Sequence, residues 1–449
     1  MTASLAHRPH GLDDVLRAAR PERVGAVDAI VGLGLDVRGV DAALGDLLLV
    51  GSDPSAGLRA EVVAVTSDGV RAMPLDAMAG VSAGTPVRAT GGALRIPVGP
   101  GLLGRVVDPA GTPIDGRGPL RGVRHVSVDA VAPSPVTRAR IDSPLPLGVR
   151  VLDTLTTVGR GQRIGLFAGS GVGKSSLLSM IARGSDAEVA VIALVGERGR
   201  EVREFLEEDL GPAGLARSVV VVATADQPAL LRVRAAFTAP RIAEELRAQG
   251  RHAMLMMDSL TRVAFAQREI GLSAGEPPAT RGYPPSTFAV LARLLERAGT
   301  AETGSITGVY TVLVDGDDHN EPIADAARSI LDGHVVLDRK LAVAGHFPSV
   351  DALGSVSRVA PRVTSPEQRA AATALRRVLA ARRRAQDLID VGAYQAGADP
   401  LVDAALVHDA SITAFLQQGM DEPAPADASW ARLGELVHLL DAAPLGAAA

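Results

Sequence analysis

Apolar positions along this chain change rhythm several times. Leu12, Val15, Leu16 and Ala19 recur at helical spacing, with Asp13 and Asp14 at the start, Arg17 and Arg20 near the end, and Pro21 as a stop. They predict a short amphipathic helix, for which a frayed terminal helix is the plain reading and a docking segment the sharper one. From about Val24 to Leu94 the apolar residues gather in short β-rich runs separated by Gly, Asp and Ser. These are Ala26 to Val31, Leu47 to Val50, Ala60 to Val65, Gly69 to Met73 and Pro86 to Ala89. Their regular spacing predicts a small all-β barrel. From Ile96 the strand-like runs Glu188 to Val195, Ser218 to Ala223, His252 to Met257 and Gly308 to Val314 alternate with helical stretches such as Gln227 to Ala248 and Tyr283 to Ala298. That alternation predicts a mostly parallel sheet with helices on both faces. After Arg362 the pattern is helical. Ser365-Pro366-Glu367-Gln368 reads as a helix cap, and Leu375, Val378, Leu379, Leu388 and Ile389 mark one face. Asp421 to Ala428 reads as a linker, followed by a last helix marked by Trp430, Leu433, Val437 and Leu440.

Composition narrows the class without naming it. The chain has 449 residues, 47% of them apolar and 22% charged, enough for two or three domains with real cores. A net charge of −5, and a barrel without basic–aromatic interleaving, argue against a nucleic-acid binder. The absence of cysteine excludes disulfides and thiolate metal sites. Met1 to Arg23 lacks an apolar core of signal-peptide length, and no uninterrupted apolar run approaches the ~20 residues needed to span a bilayer. The expected compartment is the cytosol.

One stretch carries explicit chemistry. Ala168-Gly169-Ser170-Gly171-Val172-Gly173-Lys174-Ser175 lies between the apolar runs Ile164 to Phe167 and Leu177 to Ile181, which reads strand, glycine-rich loop, helix. Glycines let backbone N–H groups curl around phosphate oxygens, and the helix N-terminus adds partial positive charge. Lys174 would reach the β- and γ-phosphates and the Ser175 hydroxyl would ligate Mg²⁺. The pattern departs from G-x-x-x-x-G-K-[ST] at Ala168, where a small residue serves if the turn needs no positive φ. Met254-Leu255-Met256-Met257-Asp258 is an apolar strand closing on a carboxylate placed to hold Mg²⁺ through water; a solvated Asp at a strand end has the same look. Val195-Gly196-Glu197-Arg198-Gly199-Arg200-Glu201 would put Glu197 at the C-terminal edge of the sheet, where a carboxylate can orient and accept from an attacking water. A salt-bridged surface Glu fits that spacing equally.

These segments resemble the secretion ATPases, relatives of the rotary ATP synthase catalytic subunit. The resemblance lies in Gly161 through Ser175, Val195 through Val202, Asp258 through Arg262, Ala266 through Ile270 and Gly275 through Ser286, and it runs from about Gly32 to Glu422. It implies an α/β fold in four parts: an N-terminal amphipathic docking helix at 1–23, a small β-barrel at 24–95, a RecA-like P-loop ATPase core at 96–362 and a C-terminal helical domain at 363–449. It implies ATP and Mg²⁺ as ligands. Gly169, Ser170, Gly171, Val172, Gly173, Lys174, Ser175 and Ser176 would hold the phosphates, with Ser175 and Asp258 at the metal. Glu197 is the catalytic carboxylate by resemblance, and Lys174 and Arg198 lie at the nucleotide. Val350 through Val359 matches the segment carrying an arginine finger, so Arg358 would reach a neighbouring subunit's γ-phosphate. Phe347 falls where an aromatic stacks on adenine, a position that core packing suits as well.

Because one chain carries both Glu197 and Arg358, a ring of identical chains completes every site, and a homohexamer is expected. The resemblance places Gly275 to Ser286 near a central pore, against a stalk-like export component, and the N-terminal helix on a stator-like regulator. The C-terminal helices would face chaperone–substrate complexes at an export gate, with peripheral membrane association only. Leu388 through Pro400 and Phe415 through Met420 are closer to the flagellar branch than to the virulence injectisome. The implied function is ATP-driven unfolding or release of flagellar export substrates. The alternatives are an injectisome ATPase, a non-catalytic nucleotide-binding subunit, which would lack Glu197, an RNA-translocating helicase, and a proton-coupled synthase subunit.

Overall fold

A computed structural model describes residues 23–53, 57–314 and 321–441. The 1–23 helix lies outside the described residues but for Arg23. The chain divides into two compact units, one ending at Ala93 and one beginning at Leu94.

The first unit is a closed antiparallel barrel. Its strands are β1 (Gly25–Val31), β2 (Gly34–Arg38), β3 (Leu47–Val50), β4 (Leu58–Val65), β5 (Val70–Pro74) and β6 (Pro86–Ala89), in the order β1-β2-β5-β4-β3-β6. Closure removes the exposed edges of a small sheet. Alternate residues point inward, so Val27, Leu35, Val37, Leu48, Val62 and Val87 are all at most 2% exposed. The strand Gly34–Arg38 was absent from the periodicity. Its Asp36 and Arg38 break the apolar run; Asp36 instead pairs across strands with Arg71 at 2.7 Å.

The second unit is built on a nine-stranded sheet. Seven strands are parallel: β8 (Val106–Val107), β10 (Arg163–Ala168), β11 (Val189–Glu197), β12 (Ser218–Thr224), β13 (His252–Asp258), β15 (Ser305–Leu313) and β16 (Gly333–Val336). A separate ribbon pairs β7 (Arg95–Val98) with β9 (Arg124–Ser127), while β14 (Gly299–Thr300) and β17 (Val356–Ser357) add antiparallel edges. The main order is β17-β16-β10-β15-β13-β11-β12-β8. Every residue of β13, and all of β11 but Glu197, is buried, as in a sheet covered on both faces. The order β10-β15-β13-β11 separates β10 from β11, its sequence successor, by two strands. That arrangement opens a crevice at their C-terminal ends.

Helical segments agree with the periodicity inside their bounds and differ at their ends. The stretch from Gln227 forms Ala229–Ala248, and that from Tyr283 forms only Pro285–Leu295, because prolines fix the start. Ser365 and Gln368 form a reciprocal capping box on the helix Pro366–Asp390. The last helix begins at Ala426, inside the segment Asp421 to Ala428 that reads as linker. The C-terminal helices share the core of the sheet: Leu375, Ala405, Phe415 and Leu433 belong to the same buried cluster as Ile164 and Ile192.

Candidate active site

Strand β10 delivers the phosphate loop to the crevice. Ala168, its last residue, is buried in regular register with Leu313 of β15, and Arg281 is the sole non-glycine residue at positive φ among those described. The departure at Ala168 therefore costs nothing. The turn itself needs glycine: Gly171 has φ 75° and Gly173 φ 90°, and Gly173 ends the loop where the helix Lys174–Gly184 begins. The Val172 side chain points into the core, and its carbonyl accepts the buried Ser349 hydroxyl at 2.5 Å. Only its backbone remains to serve a ligand.

Three residues far apart in sequence meet above the sheet. Lys174 Nζ lies 2.6 Å from Asp258 Oδ1 and 3.8 Å from Glu197 Oε1. Asp258 ends β13, and its Oδ1 also accepts the Thr311 hydroxyl of β15 at 2.7 Å. Glu197 ends β11 beyond a register shift at Gly196, whose φ of 71° turns the next side chain inward. A Cβ on Gly196 would stand 3.0 Å from Arg262 Cβ, so the strand end and the following helix touch. Burial pushes the Glu197 carboxyl up to about 7, with the Asp258 charge adding and Lys174 opposing. Its hydrogen bond with Glu201 holds Glu201 below the usual carboxylate range. A carboxyl poised near neutrality, within reach of the phosphate-loop lysine, suits proton acceptance from water. Arg198 is exposed and pairs with Glu201 at 3.3 Å.

Lys174, Glu197 and Arg198 border a cavity of about 810 Å³, lined also by Gly169, Ser170, Gly171, Gly173, Ser175 and Ser176 among others, while Asp258 is buried against Lys174 and does not line it. Among the described residues six cationic side chains line it (Lys174, Arg198, Arg262, Arg268, Arg281 and Arg339) against three carboxylates, Glu197, Glu201 and Glu321. Among the described residues Arg262 Nε, buried there, has no hydrogen-bond partner. This excess of positive charge with an orphaned guanidinium nitrogen fits a polyphosphate. Among the described residues no group of three or more His, Asp or Glu forms a cage for a metal. Ser175 lines the cavity and offers a hydroxyl, and Mg²⁺ takes one or two protein oxygens plus phosphates and water. Arg262 had no role in the sequence reading. Ser259 caps the helix Leu260–Ala274 directly after β13 and so carries Arg262 into the pocket. Arg281 and Tyr283, in the proline-rich segment, line the same cavity; there the Arg268 guanidinium lies 5.2 Å from the Tyr283 ring centroid.

Phe347 is half-exposed rather than core-packed, and a Cβ on Gly173 would sit 3.3 Å from its Cε1. It abuts the phosphate loop without lining the cavity. Arg358 is not brought to this pocket. Its N–H donates to the Asp332 carbonyl, and Asp332 N–H donates to the Arg163 carbonyl, so it lies level with the start of β10. Five residues of strand, about 17 Å at ~3.3 Å per residue, separate that level from Ala168. The guanidinium is exposed and reaches the Arg328 carbonyl at 3.5 Å.

The nucleotide-binding domain model of the ATP synthase alpha/beta family matches residues 148–357, and that family's beta-barrel domain model matches 27–91. The T3SS EscN ATPase C-terminal domain model matches residues 364–435. The chain is 51% identical over 417 residues to the flagellum-specific ATP synthase of Bacillus subtilis (strain 168), covering 92% of this chain and 95% of that protein. The chain belongs to the type III secretion ATPases of the ATP synthase alpha/beta family. The type 3 secretion system ATPase of Xanthomonas euvesicatoria is 48% identical, covering 89% of this chain and 91% of its own. The assembled ATPase EscN of the enteropathogenic E. coli type III secretion system superposes with a TM-score of 0.87 at 43% identity. That match covers 92% of this chain and all of EscN's. This protein is accordingly an ATPase of the type III export class.

Proposed function

We propose that this ATPase works as a homohexameric ring powering flagellar protein export, with each ATP held between adjacent copies. The observation that carries the reading is geometric. Lys174 and Glu197 line one cavity, with Asp258 paired to Lys174, while Arg358 stands exposed at the opposite end of the sheet, out of reach of its own site and open to a neighbour. In this reading the phosphate-loop N–H groups and Lys174 bind the β- and γ-phosphates. Ser175, and Asp258 through a bound water, would hold Mg²⁺, which would supply charge neutralisation at the phosphate oxygens. Glu197 orients water and takes its proton, Arg198 and Arg262 add positive charge, and Phe347 stacks on the base. A neighbour's Arg358 then stabilises the charge that develops at the γ-phosphoryl.

EscN has been solved assembled and in complex with its central stalk EscO, which supports self-assembly and a stalk partner for this chain. We place the stalk contact at Gly275 to Ser286, the regulator contact at residues 1–23, and chaperone–substrate complexes at the helices of 363–449. The barrel at 24–95 and the ATPase core at 96–362 complete the division. Among the described residues no helix is long and apolar enough to cross a membrane. From the similarity to the flagellum-specific ATP synthase we infer a cytoplasmic protein held peripherally at the inner membrane face. Glu197→Gln is expected to keep nucleotide binding and abolish phosphate release; retained turnover sinks the catalytic assignment. The Xanthomonas relative makes injectisome export the second reading. A deletion strain scored for swimming and for filament-protein secretion separates the two.

A further inference from the structure

The C-terminal segment Gln417–Glu422 is held by a buried arginine that has no role in the chemistry above, and it reaches the phosphate loop through Phe347. Arg150 is 4% exposed. Its guanidinium donates to the carbonyls of Ala414, Phe415 and Gln417 at 3.3, 3.1 and 2.8 Å, and pairs with the Glu422 carboxylate. It thus supplies positive charge and donors at the C-terminal end of the helix Asp409–Leu416, where carbonyls lack helical partners. The Arg150 backbone N–H donates to Gln418 Oε1 at 2.8 Å, and Gln418 Nε2 donates to the carbonyls of Gly148 and Glu422. The segment is held from both ends.

Its next contact is the aromatic beside the nucleotide loop. Gln418 N–H donates to the Phe347 carbonyl at 3.0 Å. On the other side the Phe347 ring abuts Gly173, and Ser349 anchors the same strap to Val172. The path therefore runs from Arg150 to the Gln418 backbone, then to Phe347, then to the phosphate loop.

We propose that Arg150 is a positioning residue for the nucleotide base: by fixing the Gln418 N–H it sets where the Phe347 ring stands. This rests on the reading of Phe347 as the base-stacking residue. Arg150→Lys keeps the charge but loses the planar fork, whose Nη1 faces the three carbonyls while Nη2 pairs with Glu422. Glu422→Ala, at a half-exposed position, loosens the same segment without removing the buried cation.

Calorimetric titration of the full chain with ADP and with inorganic pyrophosphate tests the idea. Pyrophosphate occupies the phosphate loop but has no base. Arg150→Lys and Glu422→Ala are expected to weaken ADP binding about fivefold and leave pyrophosphate unchanged. Phe347→Ala weakens ADP about tenfold, the scale of base–aromatic stacking. Adding Arg150→Lys to Phe347→Ala should then cost nothing further, because the two act through one contact. Equal losses for both ligands, additive losses, or unchanged ADP binding in both Arg150→Lys and Glu422→Ala with a clear Phe347→Ala defect would each overturn the role of Arg150. Unchanged ADP binding in Phe347→Ala would instead remove the stacking assignment itself.

Discussion

The proposed sharing of each site between two copies makes a numerical prediction for mixed rings. Arg358 sits level with Arg163, about 17 Å of strand below the phosphate loop at ~3.3 Å per residue, so no side-chain motion brings it to Lys174 of its own chain. Rings of Glu197→Gln alone then lack every base, and rings of Arg358→Ala alone lack every finger. The second loss alone is worth about 10³–10⁵ in rate. In an equimolar random mixture an interface is complete when the base comes from an Arg358→Ala copy and the finger from a Glu197→Gln copy. Head-to-tail packing makes that about one interface in four. Phosphate release from the mixture should therefore approach a quarter of the wild-type rate, where either variant alone gives almost none. The assay is steady-state release after the two purified variants are mixed and reassembled, across a series of mixing ratios, with a maximum at equal parts. A mixture no faster than the average of its parents at every ratio would refute the shared site.

Other consequences are smaller in scope. With the Glu197 carboxyl pushed up to about 7 and required as the anion, kcat/KM should fall as pH drops, about tenfold between pH 8 and pH 6. An acid limb near the ordinary carboxylate range would remove Glu197 as the titrating base. Gly148 has φ 72°, and an added Cβ would lie 2.8 Å from the backbone of Gly184, at the end of the phosphate-loop helix. Gly148→Ala should lose about 3 kcal/mol in denaturant unfolding, against about 1–2 kcal/mol for Gly250→Ala, which has a similar φ and open space. Equal losses would mean that the close approach is not felt. Arg297, 1% exposed, pairs with both oxygens of Glu244 at 2.7 Å. Glu244→Ala strands that cation and should cost about 3–5 kcal/mol, while Glu244→Leu with Arg297→Met should recover most of it. A double variant as unstable as the single one would contradict this account.

Much of the fold was legible because its signals are local. Apolar runs bounded by Gly and Asp marked five of six barrel strands, and the strand–glycine loop–helix order announced the phosphate site. The Ser365 cap was read at the residue where it forms. Among the misses, Gly34–Arg38 carries charges on a short strand, Ala426 begins a helix within a stretch whose Pro and Asp content reads as linker, and β7, β8, β9 and β16 are too short to show a rhythm.

What the sequence determined is the set of elements and the ligand chemistry of one loop, since these follow from spacings of two to four residues along the backbone. From the residues alone, Glu197 was indistinguishable from a surface Glu and Phe347 from a core aromatic. Tertiary structure decided which carboxylates meet Lys174, that Arg262 joins them, that Arg358 faces away, and that Gln418 holds Phe347. Those outcomes depend on the order and register of parallel strands. Hydrogen bonds between segments far apart in the chain fix that register, together with the helices packed on both faces, and no local spacing encodes it.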